Sequence, residues 1–163
     1  MFNLGIIVAS DKGSKGERLD ESGILIKELM EKHNYSVKKY IILPDQQDIL
    51  ENELIYMCDE LKVDLILTTG GTGFSRRDIT PEATLNIIDR NAPGISEAIR
   101  YNSLQITPRA MLSRAVSGIR KNTLIINLPG SPKAVRESLE YILPSLGHGL
   151  EILKGTTTDC ARK

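Results

Sequence analysis

LILTTGGTGFSRRDITPE, residues 65–82, sets an apolar run directly before Gly70, Gly71 and Gly73, then Arg76, Arg77, Asp78 and a Thr80-Pro81-Glu82 triplet. The apolar start predicts a strand over 63–67, buried on both faces. The triplet predicts a helix start: a hydroxyl cap at Thr80, proline at the first helical position, an acid in the first turn. Strand, glycine turn and helix in immediate succession form the repeating unit of parallel α/β folds.

The same alternation extends both ways along the chain. Gly5-Ile-Ile-Val-Ala9 is a short continuous apolar run and predicts the first strand, followed by a polar loop, SDKGSKGERLD. Asp20 offers an N-cap for an amphipathic helix that ends at Asn34, a residue suited to a left-handed stop. Val37 to Leu43 predicts a second strand closed by Pro44. Asp45-Gln-Gln-Asp48 opens a helix with apolar positions Ile49, Leu50, Leu54 and Met57. A helix is expected over 95–104, a strand over Thr123 to Leu128, and a last helix reaching Leu143 after the Pro129-Gly130-Ser131-Pro132 turn. The expected fold class is α/β: a three-layer α/β/α sandwich with a mostly parallel central sheet, in one domain spanning residues 1–163.

Composition narrows the function. Lys plus Arg and Asp plus Glu stand at 21 each, so the basic excess of a nucleic-acid binder is absent. No apolar run approaches the ~18 residues of a membrane span, and the amino terminus has no basic segment of a signal peptide. Cys58 and Cys160 are far apart and form no CxxC pair, which argues against a zinc site and for a reducing, cytoplasmic setting. The two histidines, His33 and His148, have no metal-binding spacing, and no Ser/His/Asp triad can be assembled from the sequence.

Three predicted strands end in small residues before a helix: Ser10-Asp11, Thr68 to Gly73, and Pro129-Gly130-Ser131. In a parallel sheet these loops share one edge, where ligands bind. Glycines turn backbone N–H groups outward and helix N-termini add partial positive charge, a combination that suits phosphate. One such loop is explained by tight turning alone; three are harder to explain that way. Neither GxxxxGK[ST] nor GxGxxG is matched, since the lysine is missing and Arg76 stands where a glycine is required.

Asp45 and Asp78 fall at the same edge, and two carboxylates facing a polyphosphate suit Mg²⁺. The local alternatives are a helix cap for Asp45, which its position after Pro44 favours, and a pairing of Asp78 with Arg76 or Arg77. Those arginines, and Arg114, are either phosphate clamps or solvated side chains. Cys58 is expected in the core, and His148 in a structural role.

At TTGGTGFSRRDITPEAT the chain resembles the molybdopterin adenylyltransferases of molybdenum cofactor biosynthesis, the family of MogA, MoaB and the gephyrin and plant Cnx G domains. Gly5-Ile-Ile-Val-Ala-Ser-Asp11, Leu43-Pro-Asp45, Asp89-Arg-Asn-Ala-Pro-Gly94, Thr107-Pro108, Met111-Leu-Ser-Arg114 and Leu124-Ile-Ile-Asn-Leu-Pro-Gly-Ser131 follow in family order. The resemblance implies adenylylation of molybdopterin by ATP with Mg²⁺, releasing pyrophosphate. It implies catalytic, metal-binding roles for Asp45 and Asp78. It implies a pterin and nucleotide pocket formed by Ser10, Asp11, Gly70, Gly71, Thr72, Gly73, Ser113, Pro129, Gly130 and Ser131, with Glu82 in support. It further implies a homotrimer and a contact with the molybdenum insertase. A non-catalytic molybdopterin-binding module of MoaB type is the other activity it leaves open. Lys12 departs from the pattern, since many family members have an arginine after the first-loop aspartate.

Overall fold

The computed structural model describes residues 1–157, so Cys160 lies outside the described residues. Four parallel strands, β1 (Phe2–Ala9), β2 (Tyr35–Leu43), β3 (Leu65–Thr69) and β6 (Thr123–Leu128), form the body of a six-stranded sheet. The order is β2-β1-β3-β6-β5-β4, with β4 (Arg90–Asn91) and β5 (Ser117–Arg120) antiparallel at one end.

The uninterrupted apolar runs arise because each parallel strand is covered on both sides. Leu4, Ile6, Leu65, Leu67, Leu124, Ile126 and Leu128 point to one face. There they pack against α2 (Glu21–Lys32), α5 (Pro93–Leu104) and α6 (Pro132–Leu153). Ile7, Ala9, Ile66 and Ile125 point to the other, against α3 (Gln47–Asp59) and α4 (Thr80–Ile87). Two cores on two faces of one sheet make the expected three-layer sandwich. Cys58 is in the second core and is free.

Several local expectations change. The polar first loop begins with one short helical turn, α1 (Asp11–Ser14), capped by Ser10 Oγ, which accepts from Gly13 N at 3.0 Å. Strand β3 lies two residues later than expected and carries Thr68 and Thr69 into the sheet. Strands β4 and β5 carry too few alternating apolar residues to be visible in the sequence. Helix α5 begins at Pro93, earlier than expected. Helix α6 runs through Pro144 to Leu153 because its buried stripe of Ile142, Leu146 and Leu150 continues past the proline. Packing there outweighs a proline cost of ~3 kcal/mol.

Two caps are also reassigned. Asp20 caps α2 as expected, through Gly23 N at 2.9 Å, and Asn34 is left-handed at φ 64. Thr80 caps nothing: Ile79 holds the cap position, and the Thr80 hydroxyl is turned inward, buried and without a partner. Asp45 is no cap either, since α3 is preceded by Gln46 and the Asp45 carboxylate accepts a hydrogen bond from a different loop. Among the described residues no helix is long and apolar enough to cross a membrane.

Candidate active site

The strand register decides where the loops meet. Ala9 pairs with Leu43, Val8 with Thr69, and Thr69 with Leu128, so four strands finish level with one another. Their loops enclose a cleft of about 270 Å³ lined by Ser10, Asp20, Asp45, Gly70, Gly71, Asp78 and Gly130 among others. Gly70 (φ 90) and Gly71 (φ 67) hold left-handed backbone, and a side chain on Gly70 would run into the Ala9 carbonyl. Glycine is required at that close approach.

Asp11 and Asp45 lock the first and second loops together. Asp45 Oδ2 accepts from Asp11 N, and Asp11 Oδ1 accepts from Asp45 N, each at 3.0 Å. Arg77 grips the same Asp11 carboxylate with Nε and a terminal nitrogen at 2.9 and 2.7 Å, bringing the glycine loop to the pair. Arg77 lowers the Asp11 pKa below the ordinary carboxylate range, and the Asp45 N–H assists. Thus Asp78 pairs with neither arginine. Its Oδ2 accepts from Ser75 N at 2.9 Å, within its own loop.

Asp45 is in the opposite electrostatic state. Burial raises its pKa, the Asp11 N–H pulls it back, and the charges of Asp11 and Asp78 raise it again. Asp45 Oδ1 is buried with no hydrogen-bond partner. A buried acceptor left unpaired is costly unless something else satisfies it. Opposite charge beside Asp45 and Asp78 would relieve both the orphaned oxygen and the repulsion, so the residues present fit a divalent cation. Mg²⁺ takes one or two carboxylates and completes its shell with phosphate oxygens and water.

The remaining sequence candidates divide into two sets. Gly130 is held at the cleft by Ser22 Oγ, which donates to its carbonyl at 2.8 Å, while Thr69 Oγ1 donates to the Pro129 carbonyl at 2.6 Å. Ser131 caps α6 through Ala134 N at 3.3 Å. Thr72, Gly73, Glu82 and Ser113 stand back from the cleft wall, grouped around Arg114, and Asp11, Pro129 and Ser131 are off the wall as well. Thr69, in the expected Thr68–Gly73 loop, is on the wall, as are Gly13, Arg18, Leu19, Glu21 and Ser22, which the sequence did not mark as binding residues. The density of polar and glycine residues in SDKGSKGERLD was the available signal.

A family described as "Probable molybdopterin binding domain" matches residues 5–148 of this chain. The chain belongs to this molybdopterin-binding family. Among similar proteins, a molybdopterin adenylyltransferase of Helicobacter pylori is 44% identical over 94% of this chain and 89% of its own length. The Escherichia coli molybdopterin adenylyltransferase is 41% identical, over 90% of this chain and 76% of its own. The crystal structure of the molybdopterin biosynthesis enzyme MoaB from Thermus thermophilus is 47% identical and superposes with a TM-score of 0.90. It covers 95% of this chain and 98% of the MoaB chain. Membership in the molybdopterin-binding family therefore agrees with the resemblance at the glycine loop, and the family fold is the sandwich expected from the alternating strands and helices.

Proposed function

We propose that the cleft transfers an adenylyl group from ATP to molybdopterin in molybdenum cofactor biosynthesis, releasing pyrophosphate. The observation that carries this reading is the unpaired, buried Asp45 Oδ1 in a glycine-lined cleft that Asp78 also lines. The adenylyltransferase relatives support it.

A phosphate monoester is largely dianionic at neutral pH, its second pKa being about 6, and is a ready nucleophile without a protein base. Its oxygen attacks the α-phosphorus of ATP, a new P–O bond forms, and the bond to the β-phosphate breaks. The electron pair leaves on pyrophosphate. The chain's task is then positioning and charge compensation. Gly70 and Gly71 and the first residues of α2 and α6 line the cleft, where backbone N–H groups and helix N-termini suit phosphates. Asp45 and Asp78 would hold Mg²⁺, which supplies positive charge to the phosphate oxygens when bound. The small cleft volume, about 270 Å³ against the ~300–1,000 Å³ of typical ligand sites, suits the reacting phosphates. No covalent enzyme intermediate forms.

Residues 1–163 act as one domain in this reading. The exposed apolar side chains of Tyr101, Leu104, Ile106, Met111 and Leu112 support a homotrimer by offering surface to cover, and the insertase is the expected downstream partner. The test supplies molybdopterin, ATP and Mg²⁺ and assays adenylylated molybdopterin with wild-type protein and Asp78→Asn. Turnover by the wild type, lost in Asp78→Asn with molybdopterin binding retained, is the expected result. Wild-type protein that binds molybdopterin but never consumes ATP would establish the binding-only activity instead.

A further inference from the structure

We infer that Arg114 is a positioning residue: it sets the place of the Asp78 carboxylate by clamping both ends of the glycine loop. The inference rests on the role proposed for Asp78. Arg114 enters from the segment between the 3₁₀ turn Pro108–Leu112 and β5. Its backbone N–H donates to the Thr72 carbonyl at 2.9 Å. Its Nε donates to the Gly73 carbonyl at 2.7 Å, and a terminal nitrogen to the Asp78 carbonyl at 2.6 Å. The other terminal nitrogen pairs with Glu82 Oε1, in the first turn of α4. One side chain thus joins the start of the loop, its catalytic end and the helix that follows.

The loop has few other means of keeping its shape. Phe74, Ser75, Arg76 and Arg77 are exposed, and the apolar anchor comes only after Asp78, where Ile79 packs against the second core and Thr80 N donates to the Gly71 carbonyl at 3.1 Å. The Arg77–Asp11 pair holds the middle of the loop from the other side, but its arginine is exposed and solvent screens it. Arg114 is anchored from behind: Arg100 donates to the carbonyls of Ser113 and Ala115 at 3.4 and 2.6 Å, and Val116 N donates to Asn127 Oδ1 at 3.2 Å. Those contacts reach α5 and the buried strand β6. The glycines that allow the loop to approach a phosphate also leave it free to wander, and a planar five-donor fork removes that freedom. Lysine cannot replace it, because a single ammonium cannot span two carbonyls and a carboxylate in fixed directions.

This gives Glu82 and Thr72 a part that cleft lining does not. Glu82 orients the guanidinium, and Arg114 in turn lowers the Glu82 pKa. Thr72 and Gly73 present carbonyls to Arg114.

Arg120 provides the control. It makes bonds of the same kind, two to Asp59 at 3.1 and 2.8 Å and one to the Ile87 carbonyl at 2.8 Å, away from the cleft. Arg114→Lys and Arg120→Lys are compared by thermal melting, Mn²⁺ titration followed by electron paramagnetic resonance, amide hydrogen exchange over residues 70–78, and steady-state adenylyl transfer. Both variants are expected to melt earlier. Arg114→Lys alone speeds exchange in the loop, lowers kcat by about 100-fold and weakens Mn²⁺ by about 10-fold, with the KM for ATP changing far less. Arg114→Lys matching Arg120→Lys in kcat and Mn²⁺ affinity overturns the inference, even if loop exchange rises. Wild-type protein without turnover sinks the functional reading instead, and the Mn²⁺ comparison then decides the role of Arg114 by itself.

Discussion

Asp11 and Asp45 each accept a hydrogen bond from the other's backbone N–H, at 3.0 Å in both directions. This reciprocal pair joins the ends of β1 and β2 and aims the second Asp45 oxygen inward. Asp11→Asn keeps an oxygen for Asp45 N but sets an amide N–H against Arg77 Nε, and should lose less activity than Asp11→Ala. Asp11→Ala removes that acceptor and frees Arg77, and a loss of about 10–100-fold in kcat/KM is expected from misplacement alone. Equal activities of the two variants would show that the pair does not position the site.

Asp45 carries its charge at a cost to the fold. A carboxyl with a raised folded pKa is penalised increasingly as pH climbs from its unfolded value through its folded one. Asp45→Asn keeps the shape and the acceptor for Asp11 N but removes the charge. It should melt no earlier than wild type at pH 7 while turnover falls by about 10²–10³-fold. A variant that melts much earlier, or that retains turnover, contradicts the assignment.

Gly70 and Gly147 should respond oppositely to alanine. Gly70 is at φ 90 against the Ala9 carbonyl, so Gly70→Ala is expected to destabilise by about 1–3 kcal/mol. Gly147 lies within α6 with open space around it, and Gly147→Ala should stabilise by about 0.5–1 kcal/mol. Urea unfolding of the two variants measures the contrast, and a stabilising Gly70→Ala would contradict the required left-handed backbone.

Asp59 should contribute to the acid limb of stability, beside Asp11 and Glu82. Hydrogen bonds from Arg120, then Lys121, hold its pKa down to about 2. A lowered carboxyl pKa stabilises the fold above the unfolded value, near 3.9, and that stability disappears as pH falls towards 2. Asp59→Asn should therefore flatten the dependence of Tm on pH between about 4 and 2. An unchanged slope would mean that the ion pair contributes nothing measurable.

Some of this molecule was legible in one dimension. Hydrophobic periodicity and turn residues gave the parallel strands, the helices between them and the left-handed Asn34, because those preferences act over a few residues. Helix ends were less legible where tertiary packing overrode the local signal. Thr80 has the chemistry of a cap, yet its hydroxyl turns inward towards Gly71; Pro144 has the chemistry of a stop, yet the stripe through Leu146 and Leu150 keeps the helix going. Strands β4 and β5 stayed hidden because two and four residues are too short to show a period.

The sequence by itself determined the parallel strands and their covering helices, the glycine loop, and the family resemblance from which roles for Asp45 and Asp78 are expected. These depend on residue type and short spacing. Only the tertiary structure decided which side chain each charge would meet: Arg77 with Asp11, Arg114 with Glu82, and Asp45 with an oxygen left open. Those partners lie on different loops and helices, between 32 and 66 residues apart in the chain. The level strand ends bring them together, and no local preference encodes that register.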